Sequence, residues 1–301
     1  MNQEIKDYLK PNNDVVFKRL FGKTGNEKLV KDFLEAVLNT TIRSVELGKE
    51  TQLLPEKIDD KLGILDVKVS LNDGTLVDVE MQNLNHGFIE KRMTYYLSQL
   101  YTSELTKGKK YSELNKAIVI AILNFDYFEE LKEYHTIWKM TETSNKNKFL
   151  EEQEIHFIEL PKFLRSNVNT DRKLDQWLLF IDYSRRELIK MAEDKNNMIK
   201  EAQEQYNYLT GDEDMQRIAF LRRKYELDYN SGLDYAKQQG MKDGYVEGKK
   251  KGMERGRKEG MEEGSKKEKI EIAKKMLDKK MDIAIISEIT GLTIEEINNI
   301  K

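Results

Sequence analysis

Ile64-Leu65-Asp66-Val67-Lys68-Val69-Ser70-Leu71-Asn72-Asp73-Gly74-Thr75-Leu76-Val77-Asp78-Val79-Glu80-Met81-Gln82 decides the fold. Leu65, Val67, Val69 and Leu71 alternate with Asp66, Lys68 and Ser70. Beyond Asn72-Asp73-Gly74, Val77, Val79 and Met81 alternate with Asp78, Glu80 and Gln82. Period-two alternation on both sides of a turn sequence predicts a β-hairpin. A three-residue loop, a type I turn closed by a left-handed glycine, sets Leu71 opposite Thr75, Val69 opposite Val77 and Val67 opposite Val79. The same register puts Asp66 across from Glu80, with Cβ atoms about 4.5–5.5 Å apart. Gln82 falls on that face two residues further on. A two-residue loop would turn Asp66 to the other face. The polar set reads as the half-exposed face of a hairpin whose other face is apolar.

Upstream, Asn12-Asn13-Asp14 caps a short helix, Val15 to Phe21, and Asn26 opens an amphipathic helix with Leu29, Val30, Phe33, Leu34, Val37 and Leu38 on one side. Residues 42–48 read as a short strand. Downstream, a helix is expected over roughly 87–106, then a buried strand at 116–124. A polar hairpin follows at 134–150 with Ser144 to Asn147 as its turn, and a last strand ends at Leu160 before Pro161. Helices and strands thus alternate to about residue 165, which is an α/β or α+β pattern. From 170 onward only helical periodicity remains.

Two carboxylates as close as Asp66 and Glu80 repel, and one pKa rises unless a cation is present. A hard divalent ion resolves that repulsion. Magnesium prefers oxygen ligands, polarises a phosphoryl oxygen and makes water a better nucleophile. Phosphodiester hydrolysis is the reaction such an apparatus suits. Lys68 and Asp78 also pair across the hairpin, as an ordinary cross-strand ion pair. His86 lies in the loop after the strand, and His135 and His156 show no ligand spacing with each other or with it, so histidine ligation is not expected.

Asp66 followed by Glu80-Met81-Gln82 resembles the D…(E/D)-x-K motif of PD-(D/E)XK nucleases, with glutamine in the place of lysine. Several stretches narrow the resemblance to the recombination-promoting nuclease, transposase-like family of that superfamily. They are Asn13 to Gly22, Leu65-Asp66-Val67, Val79 to Gln82, Lys91 to Tyr96, and Phe157 to Lys162. The resemblance implies an α/β fold: a PD-(D/E)XK restriction-endonuclease-like core, a mixed sheet flanked by helices, followed by an all-helical C-terminal region. It implies a metal-dependent DNA endonuclease using Mg2+, with Mn2+ as an alternative. Asp66 and Glu80 then bind the metal, with the Met81 backbone carbonyl a third ligand, and Gln82 completes the catalytic set. Glutamine brings dipoles and no charge. Lys91 or Arg92, at the start of the next helix, is placed to supply the missing cation, and Lys91, Arg92 and Tyr95 are the expected DNA contacts. The same residues also fit helix–sheet packing.

The chain has 301 residues, 35% of them charged, and a formal net charge of −3, so any nucleic-acid surface must be local. There is no cysteine, which excludes disulfides, thiolate nucleophiles and cysteine-ligated zinc. The longest aliphatic run, Ala117 to Leu123, is far too short to span a bilayer. Met1 to Lys10 lacks the apolar run of a secretory signal. A cytoplasmic protein without membrane association is expected.

Gly240, Gly244, Gly248, Gly252, Gly256, Gly260 and Gly264 are spaced four apart. On a helix each costs about 1 kcal/mol against alanine, so the run reads either as a linker or as a helix that a partner supports. A glycine stripe lets backbones approach closely, and a homo-oligomer, most simply a dimer, through 240–264 is predicted. The interleaved Lys, Arg and Glu read as a solvated face. Ile289 to Thr293 marks a helix–turn–helix break, but the acids Glu295 and Glu296 favour a packing or dimerisation element over a DNA reader. The expected organisation is a nuclease-like core at 1–165, a helical extension at 166–235, the glycine segment at 236–266 and a small helical element at 267–301. The leading function is a DNA endonuclease acting in recombination, transposition-like mobility or defence. The alternative is a catalytically weak nuclease-fold protein that acts by binding DNA or a partner and by oligomerising.

Overall fold

The computed structural model describes residues 9–48, 67–85, 87–103, 105, 110–144 and 148–300. The chain divides into two compact units, Met1–Tyr225 and Glu226–Lys301.

In the first unit, helix α1 is Asp14–Phe21 and α2 is Glu27–Leu38. The Asn13 side chain accepts the N–H groups of Val15 and Val16, which are orphan donors of the first helical turn. Three strands follow, β1 (Val45–Leu47), β2 (Val67–Leu71) and β3 (Leu76–Gln82). Helix α3 (Ile89–Thr102) leads to β4 (Ala117–Leu123), β5 (His135–Thr141) and β6 (Phe149–Glu159). The sheet runs β1-β2-β3-β4-β6-β5. Its β1–β2–β3 half and its β5–β6 edge are antiparallel, while β3, β4 and β6 run parallel. Strand β4 is buried at all seven positions, as a central parallel strand covered on both faces must be.

The hairpin register is the predicted one: Val67 pairs with Val79, Lys68 with Asp78 and Val69 with Val77. The turn explains it. Leu71 N–H donates to Thr75 O at 2.8 Å, and Gly74 sits at φ +89° where a Cβ would also run into the Asn115 amide.

Beyond the sheet lie helices α4 (Leu160–Arg165), α5 (Lys173–Asp182), α6 (Arg186–Lys195) and α7 (Asn197–Thr210). Together with α1 and α2 they cover one face of the sheet, burying Val67, Val69, Val77, Val79, Met81, Ile118, Ile120, Ile122 and Ile158. Its centre is aromatic: Phe21 lies 5.5 Å from Phe33 and 5.6 Å from Trp177 between ring centroids. The Trp177 indole N–H donates to Asp32 Oδ2 at 2.9 Å, so the buried ring leaves no polar atom unpaired. Helix α3 covers the other face, setting Ile89, Met93, Leu97 and Leu100 against Leu76, Ala117, Val119, Ala121, Leu123 and Phe157.

Lys162 Nζ donates to Glu159 Oε2 and Phe128 O, both at 2.5 Å, while Glu159 Oε1 accepts the Tyr127 and Phe128 N–H groups. A buried ion pair therefore ties the segment after β4 to the end of β6. The β5–β6 hairpin forms, with residues 145–147 of its turn outside the described ones. It is less polar than its sequence suggests, since Ile137, Trp138, Met140, Phe149 and Leu150 are exposed on it.

Helix α8, Glu213–Asp278, runs 66 residues and passes from the first unit into the second. The glycines from Gly240 to Gly264 are all helical, and a Cβ on any of them would meet nothing within 4 Å. The second unit closes with α9 (Ile283–Thr290) and α10 (Ile294–Asn298) around Ala273, Ile286, Leu292 and Ile297. Gly291 at φ +67° makes the turn, and Thr293 with Glu296 forms a capping box. Among the described residues no helix is long and apolar enough to cross a membrane.

Candidate active site

The face of β3 that carries Asp78, Glu80 and Gln82 is not half-exposed, as alternation alone suggested. Helix α3 lies over it, leaving Asp78 and Glu80 each 2% exposed. An alternating strand states only that its faces differ. Whether the polar face meets water depends on what packs there, and α3 brings an apolar stripe at helical spacing from Ile89 to Leu100.

Glu80 sits near the C-terminal end of β3, beside Ala121 of the parallel strand. Its Oε2 accepts the Gln82 Nε2–H at 2.7 Å. Its Oε1 is buried and has no hydrogen-bond partner among the described residues. Gln82 ends β3, and its O accepts the Asn124 N–H at 2.9 Å. Asn83 next to it donates to Asn12 O at 2.8 Å and accepts from Asn124 at 3.1 Å. The Asn12-Asn13 cap of α1 is thereby fixed to this end of the sheet.

Asp66 lies outside the described residues, as does His86. The observed pairing of Val67 with Val79 is the register on which the Asp66–Glu80 pairing was predicted. The Met81 side chain is buried in the large core on the opposite face from Glu80, which leaves only its backbone to face the site.

The three expected DNA contacts on α3 separate into two groups. Lys91 is exposed, its Nζ 5.0 Å from the Phe88 ring centroid. Tyr95 is 59% exposed and its hydroxyl accepts from Gln99. Arg92 instead turns inward. Its guanidinium lies 5.9 Å from the Tyr96 ring, and its Nη1 is buried with no hydrogen-bond partner among the described residues. Tyr96, Gln99 and Thr102 of α3 and Ser103 just past its end then line a hollow with Lys68 and Asp78. Lys68 and Asp78, read from the sequence as a plain cross-strand ion pair, are register partners, and their place beside α3 in this hollow was not foreseen. The first turn of α3 is held by Glu90, which accepts the Tyr127 hydroxyl. Burial first, then Glu90, pushes that phenol's pKa up.

His135 and His156 lack helical or turn spacing, yet diagonal pairing of β5 and β6 brings His135 Nε2 to 3.0 Å from His156 Nδ1. Nε2 of His156 faces Glu154 at 3.3 Å, and Glu154 also pairs with Lys116 and Lys139. Burial, with the neighbouring His156 and Arg172 charges, pulls His135 down to about 4. The ring nitrogens that meet are bonded to each other and to a carboxylate, so this is a buried polar network on the Glu80-distal face of the sheet. Among the described residues no three His, Asp or Glu side chains gather as a metal-holding group; the pair read from the sequence includes Asp66. What the described residues offer a hard cation is Glu80: an acceptor-only carboxylate, covered from bulk water, with one oxygen unused. That fits one ligand of such an ion.

A mixed sheet with helices on both faces, carrying an acidic residue and Gln82 at the end of a central strand, is the PD-(D/E)XK nuclease architecture. The chain belongs to the PD-(D/E)XK nuclease family transposase family, whose model matches residues 11–236. Residues 266–301 match a second model, the Rpn/YhgA-like nuclease family C-terminal HTH domain, which gives the helix–turn–helix break a domain identity beyond a packing element. No curated protein and no solved structure matches the chain.

Proposed function

We propose that this chain is a metal-dependent DNA endonuclease that hydrolyses phosphodiester bonds, with Asp66 and Glu80 holding Mg2+ or Mn2+ and the Met81 carbonyl as a further ligand. When bound, the ion supplies charge to a phosphoryl oxygen and eases deprotonation of the attacking water. The single observation that carries this reading is the buried Glu80 oxygen without a partner among the described residues, in a chain of a nuclease family and at the place where its sequence resembles the superfamily's motif. Leaving such an acceptor dry and unmade is costly, and a cation removes the cost. Gln82 holds the other Glu80 oxygen and so orients the carboxylate. Lys91 and Tyr95, on the exposed side of α3, meet the DNA backbone, and Arg92 meets it from the inner side.

The test is nicking of supercoiled plasmid by the full chain with Mg2+ against EDTA, comparing wild type with Asp66→Ala and Glu80→Gln. Cleavage confined to wild type with metal is expected. A variant that cuts at the wild-type rate removes the metal mechanism. Recombination, transposition-like mobility and defence are the settings such an activity suits, and a cytoplasmic location fits all three.

One observation favours the second reading, a catalytically weak DNA-binding protein. Gln82 is neutral and already engaged with Glu80, so the motif lacks the cation that lysine supplies. In either reading we propose a homo-oligomer, most simply a dimer, through the open glycine stripe of α8, with the HTH domain as a second DNA contact.

A further inference from the structure

Glu80 Oε1 on β3 and Arg92 Nη1 on α3, the helix that covers that face of the strand, are polar atoms of opposite charge buried without a hydrogen-bond partner among the described residues. Arg92 lies on the first turns of α3, the helix that covers the polar face of β3. The next turn, Tyr96, is stacked under the guanidinium and lines the hollow with Asp78. Buried charges of opposite sign ordinarily find each other, and an arginine fork is well shaped to take a carboxylate bidentately. That Glu80 and Arg92 each keep a buried atom without a partner among the described residues leaves both able to take up a further group. That group must accept hydrogen bonds from Arg92 and carry negative charge. It must also tolerate Glu80 nearby, which an anion bridged by a cation does. A phosphodiester phosphate has this chemistry.

We infer that Arg92 is a catalytic residue, the cation that Gln82 is not: its Nη1 donates to a non-bridging oxygen of the scissile phosphate. This deepens the nuclease reading and rests on it. During hydrolysis the water oxygen forms a bond to phosphorus and its proton passes to solvent. One bridging P–O bond breaks, its electron pair goes to the departing oxygen, and that oxygen takes a proton from water. Arg92 stays protonated throughout; it stabilises the charge that builds on the non-bridging oxygens. Lys91 does not fill the role, because its ammonium is on the exposed side against Phe88.

Three measurements on the full chain test this. Single-turnover cleavage of a labelled duplex with Mg2+ should fall by about 100-fold in Arg92→Gln, less in Arg92→Lys, and recover in part in the double variant Arg92→Gln with Gln82→Lys. Duplex affinity with Ca2+ in place of Mg2+ should change by less than about 10-fold, because the contact strengthens as charge develops. The melting temperature in EDTA should hold or rise in Arg92→Gln, since a dry guanidinium N–H is removed. A clear fall in melting temperature would make Arg92 a structural partner of the fold and overturn the assignment. Equal cleavage by wild type and Arg92→Gln would overturn it while leaving the nuclease reading intact. A wild type that leaves DNA whole, beside an Arg92→Gln variant of undiminished stability, would overturn both.

Discussion

On one face of β3, Val77, Val79 and Met81 meet a core in which no buried side-chain polar atom among the described residues lacks a hydrogen-bond partner, the Trp177 indole included, on Asp32. On the other face Asp78 and Glu80 are equally buried, yet a Glu80 oxygen and an Arg92 nitrogen stay unmatched. Two carboxylates make the contrast sharper. Glu35 accepts the Ile42 N–H at 3.0 Å and ion-pairs with Lys31 at 3.0 Å and Lys173 at 2.9 Å. Glu80 has a single neutral amide on one oxygen. The first face is finished within the chain and holds it together. The second is left open at a cost in stability, which is where function is to be sought.

The largest effect tests the finished face. Trp177→Ala removes a side chain that is 0% exposed and at the centre of the ring cluster. Loss of about 3–5 kcal/mol is expected, and urea unfolding followed by circular dichroism reads it. A loss below about 1 kcal/mol would mean that this core is less finished than its packing indicates.

Next comes Glu35. Burial pushes its carboxyl up, but the Ile42 N–H and the Lys173 and Lys31 ammoniums outweigh that and hold it at about 2. The fold thus favours the charged form. Its contribution is complete above the unfolded value of 4.5 and is lost as pH falls through about 2. Glu35→Gln should cost about 1 kcal/mol at neutral pH, because water screens these partly hydrated ion pairs, and the gap to wild type should close between pH 4.5 and about 2. A gap independent of pH would show that the ion pairs contribute nothing.

Glu80→Gln should act with the opposite sign. Neutralising a buried, half-partnered carboxylate is expected to stabilise the protein by about 1 kcal/mol in EDTA. Magnesium should then raise the melting temperature of wild type and not that of the variant. Destabilisation in EDTA would place Glu80 among the finished groups and remove the contrast.

What the sequence made legible follows the same division. The hairpin register was readable because Asn72-Asp73-Gly74 permits one tight turn, and Gly74 does adopt the left-handed conformation it requires. Glu80, Gln82 and Arg92 could be singled out from the motif and its neighbours. The depth of Glu80 could not, because it depends on how α3, which starts only at Ile89, packs on the sheet. The His135–His156 contact was hidden for a similar reason: it is made by strand pairing across 21 residues. Local signals fix turns and faces, whereas burial and convergence come from elements that sequence spacing does not connect.

The smallest effect carries the contrast into the second unit. Each glycine from Gly240 to Gly264 costs helix stability, about 1 kcal/mol against alanine, and within this chain nothing lies within 4 Å of where its Cβ would be. If the stripe is complete as it stands, Gly252→Ala has only a benefit, stabilising α8 by about 0.5–1 kcal/mol. If a second copy packs its backbone there, the added methyl intrudes, and Gly252→Leu intrudes more. Lys251→Leu, on a neighbouring solvated row where Lys251 pairs with Glu247 of its own chain, should leave association nearly unchanged. Light scattering across a dilution series, with helicity followed in parallel, separates the cases. We expect weaker association in the order wild type, Gly252→Ala, Gly252→Leu. A Gly252→Ala protein that gains helicity and keeps its mass would show that the glycines face solvent in the assembly too, and that α8 is a spacer with no partner along its stripe.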